Sequence, residues 1–203
     1  MRALILLAFA TSCFAQQPAL PPGDEPGIYA TFDTTFGLIR ARLFENEAKN
    51  TVRNFVSLVQ GTRPFADPAS HKIVAKPFFN NLLFHRVIPY FMVQTGSASG
   101  TTDYDCGFTV PDEVRPELKF DVPGRLAMAN TGAPNSGACQ IFITEVSDQK
   151  MNGKYTIFGQ VVEGMDVVKK IARVVVDEND KPRFPIRLKK VELKRVFPPQ
   201  PAH

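Results

Sequence analysis

Long apolar runs are missing from this 203-residue chain. No stretch after the N-terminus approaches the roughly 18 uninterrupted apolar residues of a membrane-spanning helix, so no membrane span is expected. A basic block is missing too: the net charge of +4 arises from 24 basic and 20 acidic residues scattered along the whole length, which argues against nucleic acid as a partner. Histidine and cysteine number three each and tryptophan none. His71 and His203 lack ligand spacing with a cysteine or another histidine, so no metal or other cofactor is expected. Asp103, Asp105, Asp112 and Glu113 do not fit a calcium loop and read as a solvated face.

What is present begins with MRALILLAFATSCFAQQ. One arginine, an apolar run from Ala3 to Ala10 and small residues ending in Ala15 have the layout of a secretory signal over residues 1–15, cut before Gln16. The expected localisation is periplasmic or secreted. Ala10, Thr11 and Ser12 before Cys13 faintly resemble a lipoprotein cleavage box, so a lipid anchor at Cys13 stands as an alternative to a soluble form. After such a cut Cys106 and Cys139 remain, enough for one bridge in a compartment where disulfides persist, or for two buried thiols.

Residues 16–26, rich in proline and without apolar periodicity, read as a linker, and 198–203 as a similar tail. Between them, 27–197 has the size of one domain. IYATFDT and GLIRARL alternate as two strands of a hairpin. EAKNTVRNFVSLVQG places Ala48, Val52, Phe55, Val56 and Val59 at helical spacing, with its arginine and asparagines expected to face water and Gly61 at its end. An irregular segment, TRPFADPASHKIVAKPFFNN, precedes a strand-rich stretch from Leu82 to Thr95. RLAMAN, CQIFIT, YTIFGQVV and IRLKKVELKRVF read as further strands, and EGMDVVKKIARV as a second helix. Many short strands with two amphipathic helices fit a mainly β fold, an antiparallel barrel closed or nearly so, its ends covered by the helices.

FHRVIPYFMVQTG, residues 84–96, sets an arginine and a glutamine among apolar side chains with no nucleophile or carboxylate base nearby. With GLIRARLFENEAKNTVRNF before it, and FTVPDE, GRLAMANTGAPNSGACQIFIT and YTIFGQVVEGMDVV after it, the chain resembles a bacterial, exported cyclophilin, the family of peptidyl-prolyl cis-trans isomerases. The resemblance implies an eight-stranded antiparallel barrel capped by two α-helices. The implied activity is rotation of X-Pro bonds in exported proteins to assist their folding, with proline-containing client segments as partners. A monomer is expected.

Rotation about an imide bond makes and breaks no covalent bond. Twisting it costs on the order of 20 kcal/mol because amide resonance is lost. The twisted nitrogen regains a lone pair that the planar ground state lacks, so a donor aimed there binds the transition state selectively. The resemblance assigns that donor to Arg86, whose guanidinium stays protonated and planar. Gln94, two residues after Met92 and on the same strand face, is implied to hold a substrate carbonyl. Phe91, Met92 and Phe142, with Met151 at the rim, are implied to form the proline slot. Ala129, Asn130 and Thr131 are implied to cradle the substrate backbone, Asn130 through its main chain, and Gln140 to line the site. His85 alternates away from Arg86 and is expected to be structural, since no proton moves.

Two positions depart from the best-known eukaryotic members: Lys150 stands where they carry a tryptophan at the pocket rim, and Tyr155 where they carry a histidine. Low sensitivity to cyclosporin, the family's cyclic-peptide inhibitor, is the expectation. The segment from Thr62 to Phe79 is longer than in minimal members and reads as decoration of the barrel. By analogy Cys106 and Cys139 flank a side pocket, where a disulfide could tie the wall. A binding module without turnover is the competing reading, against which the presence of both Arg86 and Gln94 counts.

Overall fold

The structure, a computed structural model, describes residues 25–198. The signal segment, Cys13, linker residues 16–24 and the tail from residue 199 onward, with His203, lie outside the described residues.

The first hairpin pairs β1 (Gly27–Thr34) with β2 (Gly37–Leu43), Phe32 opposite Ile39 and Ala30 opposite Ala41. The alternation seen in the sequence puts Ala30, Phe32, Ile39 and Ala41 inside, each 1% exposed or less. Helix α1 (Lys49–Gln60) buries Val52, Phe55 and Leu58 and ends at Gly61, whose φ of 74° is the left-handed conformation that glycine adopts without strain. A side chain there would also strike the backbone of Pro77. Asn54, expected in water, is instead 2% exposed. Its Nδ2 donates to the Ala138 carbonyl over 2.7 Å and so fastens α1 to the loop before Gln140.

The segment read as irregular contains a small hairpin, β3 (Phe65–Asp67) with β4 (Lys72–Val74). It is held down by Phe65 edge-on to Phe78 and by two links to the loop 104–106: Tyr104 Oη donates to Ala66 O, and Ala66 N to Cys106 O.

Next come β5 (Leu82–Leu83), β6 (Arg86–Ile88), β7 (Met92–Thr95), β8 (Arg125–Met128), β9 (Ile141–Thr144), β10 (Ile157–Glu163), α2 (Met165–Ala172) and β11 (Arg187–Val196). Nine strands form one sheet in the order β5-β11-β1-β2-β10-β8-β9-β7-β6. Its two ends, β5 and β6, are separated in sequence only by Phe84 and His85. The run 82–88 therefore pairs at one end with β11 and at the other with β7, drawing both edges of the sheet together. Counted as one bent strand, it makes the mainly β, eight-stranded antiparallel barrel with two helices. Phe55 of α1 packs its ring 5.0 to 6.0 Å from those of Phe32, Phe79 and Phe158. α2 buries Val167, Val168, Ile171 and Ala172 and packs on β2, β6 and β7.

Candidate active site

Register across the sheet builds the site. Arg86 of β6 lies opposite Gln94 of β7, Gln94 opposite Phe142 of β9, and Phe142 opposite Ala127 of β8. Directly paired residues in a sheet point to the same face, so arginine, glutamine and phenylalanine form one row. Their common face carries a second apolar cluster, apart from the barrel interior, built from Met92, Phe120, Ala127, Phe142, Met151 and Ile157 with Phe91 and Tyr155 packed against it. Phe142 packs edge-on to Tyr155 at 5.2 Å and is stacked on Phe120 at 6.1 Å.

A cavity of about 200 Å3 opens over this cluster. Arg86, Gln94, Phe91, Met92, Ala129, Asn130, Thr131, Phe142, Met151 and Tyr155 all line it, together with Thr102. Gln140 lines a neighbouring cavity of about 360 Å3 that shares Gln94, Thr102 and Ala129–Thr131 with the first. Lys150 is exposed on the short 3₁₀ turn Gln149–Met151, capped by the Asp148 carboxylate, and stands beside the slot without lining it.

Gln140 is the hub of the polar side. Its Nε2 donates to the carbonyls of Thr102 and Tyr104, and its Oε1 accepts from Gln94 Nε2 over 2.8 Å. His85 Nε2 lies 3.0 Å from the same oxygen. An amide oxygen can only accept, so His85 is the Nε2–H tautomer and donates. Burial lowers its pKa to about 4, against the hydrogen bond to Gln140, which works the other way. His85 is thus a neutral strut at 3% exposure, in keeping with a structural part. Gln94, 8% exposed, keeps its second N–H and its oxygen for the cavity.

Arg86 is partly exposed at 39% of its side chain and donates from Nε to Asp180 Oδ2 over 3.4 Å. That leaves both terminal nitrogens free to turn towards the slot. Asp180 has φ of 62° and is held by Val87 N donating to its carbonyl. On the other flank, Glu145 is 2% exposed and orients the turn that carries Phe91: Tyr90 N and Arg173 Nη1 both donate to its Oε2, and its own N–H donates to Phe91 O. Asn130 engages its side chain internally, Nδ2 with Lys154 O and Oδ1 with Gly132 N. Sequence reasoning missed Asp180, Glu145, Thr102 and Phe120. Each meets a partner far away in the chain, as Glu145 meets Tyr90 and Asp180 meets Arg86, and no local pattern marks such a pairing.

Cys106 and Cys139 are both buried and free. They are neighbours: burial first, then a hydrogen bond with Cys106, raises the Cys139 thiol pKa. The wall they share is held by packing and by the Asn54–Ala138 link, and no disulfide ties it. Glu113 is no solvated carboxylate either. Its Oε1 accepts from Asn50 N and its Oε2 from Thr51 N and Oγ1, capping α1 where Ala48 offers no side-chain acceptor.

Residues 29–193 match the family model for cyclophilin type peptidyl-prolyl cis-trans isomerase/CLD. The chain is 40% identical over 166 residues to the "Probable peptidyl-prolyl cis-trans isomerase A" of Mycobacterium bovis, covering 81% of this chain and 91% of that protein. It is 35% identical to the "Peptidyl-prolyl cis-trans isomerase-like 1" of Emericella nidulans, covering 78% and 90%. Among solved structures, a cyclophilin type peptidyl-prolyl cis-trans isomerase of Cryptosporidium parvum superposes with a TM-score of 0.71 at 29% identity, covering 82% of this chain and 96% of that one. The same protein in the presence of the dipeptide Ala-Pro gives 0.69, covering 80% and 96%.

Proposed function

The chain belongs to the cyclophilin-type peptidyl-prolyl cis-trans isomerases, and from that premise we propose that its turnover is carried by Arg86 and Gln94 over a proline slot of Phe91, Met92, Phe142, Met151 and Tyr155. The observation that carries this reading is the cross-strand row Arg86–Gln94–Phe142 at the lip of one apolar cavity. The proline ring enters the apolar end, where burial of its methylenes fixes one side of the imide bond. The second N–H of Gln94 and the main chain of Ala129–Thr131 hold the carbonyl side. With both ends held, thermal rotation is confined to the bond between them. As the nitrogen pyramidalises, a terminal N–H of Arg86 donates to its lone pair, an interaction without a ground-state counterpart. Asp180 keeps the guanidinium in plane by occupying Nε. No side chain exchanges a proton, so the neutral His85 suffices as a strut.

Clients are, in this reading, exported proteins whose folding waits on X-Pro isomerisation, a step of tens of seconds without a catalyst. The N-terminal signal pattern supports it.

Isomerisation of a short proline peptide by wild type and Arg86→Ala tests the mechanism. Loss of one donor that acts only in the transition state should lower kcat/KM by about 10²- to 10³-fold with an unchanged fold. Equal rates above the uncatalysed one would remove Arg86 as the transition-state donor, and equal rates at the uncatalysed level would make the cavity a peptide-binding site without turnover.

A further inference from the structure

Beside α1 lies an open groove of about 800 Å3 that the slot does not use. One wall is α1, through Arg53 and Ser57; another is the segment 62–64 with Ile73 of the inserted hairpin, and Phe108 lies between. The segment that the sequence marks as long thus supplies one side of the groove, through Thr62, Arg63, Pro64 and Ile73. The Arg63 guanidinium lies over the Phe108 ring, 3.9 Å from its centre, which fixes its plane while leaving its N–H edge unused.

Charge sets the groove apart. Every other arginine among the described residues donates a side-chain hydrogen bond. Arg53 and Arg63 make neither a side-chain hydrogen bond nor an ion pair within the described residues. No carboxylate lines the groove, and the nearby acids are engaged elsewhere: Glu113 at the start of α1, Asp105 with Gly107 N, and Asp112 with Asn135 N. Two guanidiniums thus face one opening uncompensated, where an anionic group gains most.

Position indicates what brings the anion. Cys106, Phe108 and Thr109 line both this groove and the 360 Å3 cavity, which in turn shares Gln94, Thr102 and Ala129–Thr131 with the slot. The three openings are consecutive and share walls, so an extended chain leaving the slot past Gln140 reaches the arginines.

We propose that this groove is a remote subsite that takes an acidic residue of the client, its carboxylate bound by Arg53 and Arg63 several positions from the isomerising proline. It rests on the reading of the slot as the X-Pro site. The isomerase is thereby selective for proline segments with acidic residues on one flank.

Peptides with a central X-Pro bond and a single glutamate walked one position at a time along each flank test this, with glutamine peptides as neutral controls. For the wild type, a contiguous window of glutamate positions on one flank should lower KM by about fivefold relative to glutamine, less at high salt. Arg53→Ala/Arg63→Ala should lose that gain and turn over a short neutral peptide as the wild type does. Should loss of Arg63 unsettle Phe108, Arg53→Glu on the exposed side of α1 sets a carboxylate against the remaining Arg63 and should abolish the glutamate preference. Absence of any window, or a window that persists in the double variant, overturns the proposal. Failure of the slot reading shows separately, as equal turnover of the short peptide by wild type and Arg86→Ala. In that event fluorescence anisotropy of the labelled glutamate and glutamine peptides still reads the groove by binding alone.

Discussion

Burial holds the His85 imidazole at a pKa of about 4, below its ordinary 6.5, and the consequence is a pH-dependent stability. The unfolded chain takes up a proton below about 6.5, whereas the folded one resists until about 4. Stability from this group is complete above 6.5 and is lost as pH falls through that window, by about 3 kcal/mol in all. Denaturation of wild type and His85→Gln at a series of pH values should show the variant's slope flatter between pH 6.5 and 4; equal slopes would remove His85 as the source. The same scale decides inhibitor response. Lys150 is exposed beside the slot and Tyr155 packs on Phe142, so a flat indole donor is missing from the rim. Cyclosporin should inhibit poorly, which a titration of isomerase activity would check; an inhibition constant below micromolar would contradict it. Arg86 and Gln94 were legible because they share one contiguous motif, and Phe142 because it sits in a second, CQIFIT. Asp180 was not, since its contact spans 94 residues.

Helix α1 shows how an element is fixed by parts outside it. Its apolar spacing and terminal Gly61 are local signals and were readable. Its N-terminal cap was not, because Glu113 comes from 62 residues away to accept from Thr51. The Glu113→Ala variant frees the N–H groups of Asn50 and Thr51, both unsatisfied ends of the helix. Urea unfolding should show a loss of about 1 to 2 kcal/mol, with turnover of the still-folded protein unchanged. Asn54 shows the converse: a polar residue on the helix turned inward because Ala138 offers a carbonyl there. The hairpin β3–β4 escaped the sequence since three-residue strands are too short to display a period. Near the site, Gly96 at φ of 91° lies so close to the Cys139 carbonyl that a Cβ would stand 2.3 Å from it, so the β7 exit and the Gln140 loop are held in contact by the absence of a side chain.

At the scale of the molecule, barrel closure turns the run 82–88 into the seam of the sheet and sets Arg86 beside Asp180. Export belongs to this scale as well. Expressed at full length in a bacterial host with an outer membrane, the protein should appear in the periplasmic fraction with Gln16 as its first residue by intact mass. A lipid-modified Cys13 would identify the anchored form, and a full-length cytoplasmic product would refute export. The family match runs over residues 29–193 and includes the segment 62–79 and both groove arginines. What the sequence alone determined was whatever repeats or adjoins along the chain: strand alternation, the spacing of both helices, and the run of site residues from Phe91 to Gln94. What only the tertiary structure decided was which distant groups meet, namely Glu113 with α1, Asp180 with Arg86, His85 with Gln140, and the groove between α1 and the inserted hairpin. The physical reason is that periodicity reports the face a residue presents, while its partner on that face is fixed by how the sheet curls and closes.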